Sequence, residues 1–229
     1  MSDCLICAAP LIYSQSPHRL RCAVCGKIFA AEVRCTNGHY VCDGCHARGA
    51  FAVISAICAS ADNDDPYRIA LEIMRSPAVH MHGPEHHVIV GSALAAAYCN
   101  ATGQSEKLGN YLAIIEKRGK KVPGGTCGFW GACGAGIGVG IFLSVVLGNT
   151  PLKGDIYGLC NRLTARCLSV IGDIGGPRCC KRNVGLAIRE AVAFVRENLA
   201  VGMLEPHIAC EFSARNRECI GARCPFSTA

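Results

Sequence analysis

The chain lacks the basic, apolar leader of a secreted protein. It opens MSDCLICAAP, with neither a charged n-region nor a hydrophobic h-region, and the expectation is a cytoplasmic location. In a reducing compartment structural disulfides are not the ordinary use of cysteine, so closely spaced cysteine pairs point to metal ligation or redox chemistry. Sustained alternation of apolar and polar residues is also missing outside the N-terminal cysteine pairs, which excludes an extensive half-buried sheet. Charge is absent altogether from Val122 to Leu152, a run long enough to cross a bilayer. Its first half, however, is glycine and cysteine rather than leucine and valine, and no aromatic belt marks its far end. Gly134 and Gly138, and Gly136 and Gly140, stand four apart, a spacing that suits close helix packing. The expectation is a buried helix and no membrane association.

What is present is apolar mass and thiol. Apolar residues make up 51% of 229 residues, enough for one globular body with a small appendage. Eighteen cysteines far exceed ordinary packing use and point to a compartment with little oxygen. A net charge of +6 permits an anionic partner without requiring one.

The first 48 residues read as a zinc-binding module of zinc-ribbon or treble-clef type. Cys4 and Cys7, Cys22 and Cys25, then Cys35, His39, Cys42 and Cys45 supply eight ligands, enough for two tetrahedral zinc ions. The glycines after Cys25 and before His39 and Cys45 provide the tight turns such knuckles use. Consecutive and interleaved pairing of these ligands both satisfy the spacing. His46 could replace His39, and His18 reads as a surface loop residue. So short a segment holds little apolar material, so metal would supply much of its folding free energy.

Residues 49–229 read as a helical, cysteine-rich domain, making the chain mainly α: a helical bundle behind a small metal module. Asp65 caps a helix begun by Pro66, with Ile69, Ala70, Ile73 and Met74 on one face. Ser105 is the expected cap of a second, with a stripe of Leu108, Tyr111, Leu112 and Ile115. A third runs from Asp155, and Cys160 and Cys167 on its stripe read as core, as do Cys58 and Cys99. Asn183 is the expected cap of a fourth, whose face carries Val184, Ile188, Ala191, Val192, Val195 and Leu199.

The remaining cysteines stand where packing does not ask for them. In GGPRCCKRN, Cys179 and Cys180 precede a helix and are flanked by Arg178, Lys181 and Arg182, an arrangement expected to favour thiolate and hence nucleophilic or metal-binding cysteine. Cys127 and Cys133 lie among glycines in GGTCGFWGACGAG, and Cys210, Cys219 and Cys224 close the chain, the last before proline. Their spacing matches no ferredoxin, yet some of these seven could share an iron–sulfur centre. In HMHGPEHH, His80, His82, His86 and His87 crowd around Glu85, donors that suit mononuclear iron or another metal. Lys117, Arg118, Lys120 and Lys121 read as a solvated loop.

The motifs CxNGHYVCDxCH, HMHGPEHH, GGxCGFWGACGA, GGPRCCKRN and CEFSxxNxECxGxRCPF together resemble an uncharacterised cysteine-rich family of methanogens and anaerobic bacteria. That resemblance implies an anaerobic, cytosolic setting and no particular activity. CGAGIGVGIFLSVVLG and CCKRNVGLAIREAVAFV are similar to helical redox-active proteins that pair a CGA helix with a downstream cysteine-bearing helix. His86 and His87 stand where that family has its upstream cysteine. Two function classes follow. One is a metal- or iron–sulfur-dependent redox or sulfur-transfer enzyme with Cys179 or Cys180 as nucleophile or ligand. There Arg178 would hold an anionic small molecule, and Cys127, Cys133, Cys210, Cys219, Cys224, His80, His82 and His86 would hold the cofactor. The other is an adaptor whose zinc module binds protein or nucleic acid. Arg19, Arg21, Lys27 and Arg34 are its basic residues, without a dense stripe or interleaved aromatics.

Overall fold

A computed structural model describes residues 4–228. Two antiparallel strands, β1 (Leu11–Arg21) and β2 (Ile28–Cys35), form a hairpin whose open end pairs Leu11 with Cys35 and whose turn end pairs Arg21 with Ile28. The register shifts between Tyr13 and His18, so His18 lies on a strand, exposed, rather than in a loop. After β2 the chain doubles back, and Tyr40 bridges to Cys22. The helices α1 (Asp43–His46), α2 (Arg48–Ser60), α3 (Pro66–Arg75), α4 (Glu85–Thr102), α5 (Ser105–Gly119), α6 (Thr126–Phe129), α7 (Gly134–Val146), α8 (Gly154–Ile174) and α9 (Cys180–Leu199) follow, and the molecule is mainly helical. Beyond α9 the chain is irregular apart from 3-10 turns at Ser213–Arg215 and Gly221–Arg223.

The body is organised around α4, which is buried continuously from Glu85 to Cys99 and touches α2, α3, α5, α7 and α9. A helix apolar on every side belongs at the centre of a bundle. Its alanines and Gly91 let its neighbours approach closely, and a Cβ on Gly138 of α7 would stand 2.3 Å from the His87 carbonyl oxygen. The two small-residue stripes of α7 serve different neighbours. Gly134 and Gly138 lie against α4, while Gly136 and Gly140 lie against Leu168 and Thr164 of α8. The uncharged run from Val122 to Leu152 is thus broken into α6, α7 and loops, and no helix of the described residues is long and apolar enough to cross a membrane.

Asp65 caps α3 as its sequence indicates, its Oδ1 accepting from the Tyr67 and Arg68 N–H groups at 2.9 and 3.0 Å. Two other starts differ. Gln104, not Ser105, is the residue before α5, with no side-chain cap. The last helix begins three residues earlier than Asn183, at Cys180, with Cys179 as its cap. The reason is that the Cys179 sulfur accepts from the Arg182 N–H at 3.4 Å, which frees Asn183 to turn inward. Cys58, Cys99, Cys160 and Cys167 are buried in the core.

Candidate functional site

The eight N-terminal ligands gather into two groups, Cys4, Cys7, Cys35 and His39 in one and Cys22, Cys25, Cys42 and Cys45 in the other, each with all ligand atoms within 4.8 Å of one another. The pairing is interleaved, and the hairpin is why. Its open end sets Cys4 and Cys7 beside the end of β2, while its turn carries Cys22 and Cys25, to which the returning chain brings Cys42 and Cys45. Cys7 and Cys35 sulfurs lie 3.9 Å apart, as do those of Cys25 and Cys42. That matches the edge of about 3.8 Å for a tetrahedron with metal–sulfur bonds of ~2.3 Å and is far beyond a disulfide bond; all eighteen cysteines are free. His39 Nδ1 stands 3.2 Å from the Cys7 sulfur.

Backbone amides support the sulfurs. The Ile6, His39 and Cys42 N–H groups donate to Cys4, Cys35 and Cys22 at 3.4, 3.2 and 3.4 Å. The Ala9 amide, with His39, holds the Cys7 thiol down to about 6, and at Cys22 the amides of Cys42, Cys25 and Val24 outweigh burial and bring it to about 6. These two favour the thiolate that a metal requires, whereas burial raises the Cys4 and Cys45 thiols and pushes Cys42 up to about 12. Gly26 and Gly38 adopt positive φ, as the turns after Cys25 and before His39 demand, whereas Gly44 lies within α1. His46 joins neither group.

His46 belongs instead to a cleft of about 250 Å³ between the hairpin unit and the helical body. Its Nδ1 lies 3.5 Å from Glu85 Oε2, and His86 Nδ1 lies 3.5 Å from Glu85 Oε1. Glu85 is fully buried, and neither of its oxygens has a hydrogen-bond partner among the described residues. Burial alone would push this carboxyl up, but His46 and His86 outweigh it and hold it well below the ordinary carboxylate value. Burial and the Lys181 charge drive His86 itself down to about 3. His86 Nδ1 donates to the Gly83 carbonyl at 3.0 Å, which leaves the buried Nε2 with its lone pair and no partner. That is the tautomer and posture of a metal-ligating imidazole. A Cβ on Gly83 would come 2.1 Å from Glu85 Oε2, so only glycine leaves the carboxylate its place.

The cleft also gathers Cys127, Cys133, Cys180 and Arg178. Asn183, which sequence reads as a cap, donates its amide to the Cys133 sulfur at 3.3 Å; only its place one turn into a helix could have given it away. Arg178 lies over the Tyr13 ring at 5.3 Å, bridging from the α9 loop to the hairpin. His80 stacks edge-on to His46 at 4.5 Å between ring centroids. His82 lines the cleft, yet its Nε2 is engaged by Asn216 Oδ1 at 3.1 Å and Glu218 Oε2 at 3.3 Å.

Two sequence expectations change here. The helix start and cations do not lower the Cys179 and Cys180 thiols. Burial raises both, Cys180 to about 12, because loss of water costs the thiolate more than these charges return. Nor do the seven body cysteines surround one point. Cys127, Cys133 and Cys180 face the cleft, whereas Cys179, Cys210, Cys219 and Cys224 face a second, smaller cavity on the other side of the α9 start.

The chain belongs to a family of unknown function, DUF5714, whose model matches residues 54–227, the helical body from within α2 to the C-terminal segment. No curated protein and no solved structure matches it.

Proposed function

We propose that this chain is a metal-dependent enzyme of redox or sulfur-transfer chemistry, working in an anaerobic cytosol. The cleft between its zinc-ribbon-like N-terminal unit and its helical body is the catalytic site. The two N-terminal groups hold zinc, a metal that accepts three thiolates with one imidazole or four thiolates in tetrahedral array. These ions are structural, with no ligand position left for a substrate.

The observation that carries the reading is the buried Glu85 carboxylate, without a hydrogen bond at either oxygen among the described residues, set 3.5 Å from the Nδ1 atoms of His46 and His86, two imidazoles that line the cleft with three thiols and an arginine. Unsatisfied buried polar atoms cost on the order of 1–3 kcal/mol each unless something completes them. Carboxylate, imidazole and thiolate donors suit iron or zinc. No three donors of the cleft lie within 4.8 Å of one another among the described residues, so substrate or water would complete the coordination of such an ion; it would supply Lewis acidity or an electron, while Cys133 and Cys180 act as nucleophiles and Arg178 orients an anionic small substrate.

The test is metal analysis of anaerobically purified protein, with calorimetric titration of sulfite and thiosulfate. The expected result is about two zinc ions, from the two four-ligand groups, together with one further ion lost in Glu85→Gln and His86→Gln. Anion binding should be lost in Arg178→Ala. Only the two N-terminal ions, with no anion binding, would overturn the enzyme reading in favour of an adaptor.

A further inference from the structure

We propose that Cys179, Cys210, Cys219 and Cys224 bind an iron–sulfur cluster in a pocket separate from the cleft. The four residues line one small cavity together with Lys181, Arg182, Met81, Phe212 and Phe226. Three of the four sulfurs already accept a backbone amide, Cys179 from Arg182, Cys210 from Phe212 and Cys219 from Gly221, each at 3.4 Å. The same bonds, at the same length, support Cys4 and Cys22 in the N-terminal groups. Amide-to-sulfur bonds stabilise thiolate and tune cluster potential.

Spacing tells one ion from a cluster. Among the described residues only the two N-terminal groups bring three or more ligand atoms within 4.8 Å of one another, so the C-terminal cysteines encircle a cavity without closing to the distance that one tetrahedral ion needs. A cluster places its thiolates on different irons and requires that wider ring.

Charge agrees. Four thiolates leave a cluster anionic, and the two cations on this cavity are among the most buried of the chain, Lys181 at 3% and Arg182 at 5% exposure. Lys181 Nζ donates to the Met74 carbonyl at 3.3 Å and lies 5.0 Å from the Phe212 ring centroid, with no carboxylate within ion-pair distance among the described residues. The Glu85 carboxylate acts on Lys181 only from beyond that distance, and a cluster would place negative charge directly against both buried cations. The segment after α9 fits as well. It is irregular and anchored by Met203, Phe212, Phe226 and the Cys210 N–H to Phe226 carbonyl bond at 2.8 Å, so ligation at three points would order it. Cys219 is exposed and Cys224 half-buried, which leaves the cluster within electron-transfer reach of a redox partner.

The experiment is anaerobic reconstitution of the full chain with ferric iron, excess dithiothreitol and sulfide, followed by iron, acid-labile sulfide and zinc analysis and by electron paramagnetic resonance after dithionite reduction. Iron and sulfide should appear in equal amounts, about two or four per chain, with broad visible absorption. Cys219→Ser and Cys224→Ser, at sites with solvent exposure, should each lose at least half of the sulfide while the N-terminal zinc stays. Cys127→Ser and Cys133→Ser should keep it. Iron without sulfide, an extra zinc in place of iron, or a cluster that survives both C-terminal substitutions would overturn the proposal. Because sulfide reports the cluster and Glu85→Gln reports the cleft ion, either idea can fail without the other.

Discussion

Cys179 and Cys180 are neighbours with different surroundings because the backbone passes from the extended Cys179 cap into the first residue of α9 between them. One sulfur faces the C-terminal cavity and the other faces the cleft, so a doubled cysteine is what two adjoining sites on one helix start require. Single residues also set the pH range. His80, His82, His86 and His87 all titrate below the ordinary imidazole value, first because of burial. The unfolded chain takes those protons near 6.5 and the folded chain only at lower pH. Their contribution is therefore complete above the unfolded value and is lost as pH falls below it, at about 1.4 kcal/mol per pH unit for each imidazole. His87, wedged against Gly134 with its Nδ1 donating to the Val122 carbonyl at 3.2 Å, is the cleanest probe. Urea denaturation of His87→Gln between pH 5 and 7 should show a shallower loss of stability than the parent by roughly that slope, and an unchanged slope would mean that His87 is protonated in the fold. Residue pairing in the hairpin unit is as direct to check. Cys35→Ser should release one metal ion and expose Cys4 and Cys7 to alkylation while Cys22 and Cys25 stay protected; consecutive pairing would expose Cys42 and Cys45 instead.

At the scale of elements, α7 shows why this bundle needs glycine. A Cβ on Gly138 would stand 2.3 Å from the His87 carbonyl oxygen and 2.6 Å from Val90 Cγ1, backbone and branched side chain that cannot swing aside. Gly138→Ala should cost roughly 1–3 kcal/mol by forcing α4 and α7 apart, measured by chemical denaturation. At Gly172 in α8 an added Cβ would meet nothing within 4 Å, so Gly172→Ala should be neutral or stabilise by up to about 1 kcal/mol. Equal effects would remove close packing as the reason for the glycine run. This element was legible in the sequence as a tightly packed helix, because four-residue spacing of small side chains survives without tertiary knowledge. So was α3, whose Asp-Pro start and apolar face are local signals. The eight N-terminal ligands were legible for the same reason, but their pairing was not: both pairings satisfy the spacing, and only the path of the chain back along the hairpin selects one. The start of α9 was misplaced because Asn183 has the chemistry of a cap while a cysteine sulfur does that work. Nothing local could divide the seven body cysteines between two cavities, since that depends on which side of α9 each distant segment packs.

At the scale of the molecule, the cleft exists only while the hairpin unit leans on the helical body. Four contacts close it: Asp43 Oδ2 accepting from the Gly124 N–H at 2.7 Å, Tyr13 against Phe129 with ring centroids 6.3 Å apart, Arg178 over Tyr13, and His46 facing Glu85. All four draw on residues of the hairpin or beside its ligands, in a unit with a two-stranded sheet too small to be stable alone. Metal bound at the two N-terminal groups would therefore hold not only its own knuckles but one wall of the cleft. The body does not share that dependence, because its core runs from α2 to α9 around α4 without the hairpin. Removing the Cys22 group by Cys22→Ser with Cys42→Ser, which needs no chelator and so spares any other metal, should leave the helical circular dichroism signal largely intact while Cys133 and Cys180 alkylate several-fold faster. Cys58, Cys99 and Cys167, sealed in the core, should remain protected and act as the internal control. If Cys133 and Cys180 keep their parental rates, the hairpin unit does not seal the cleft. If the core cysteines react as well, the metal supports the whole fold rather than one wall of its site.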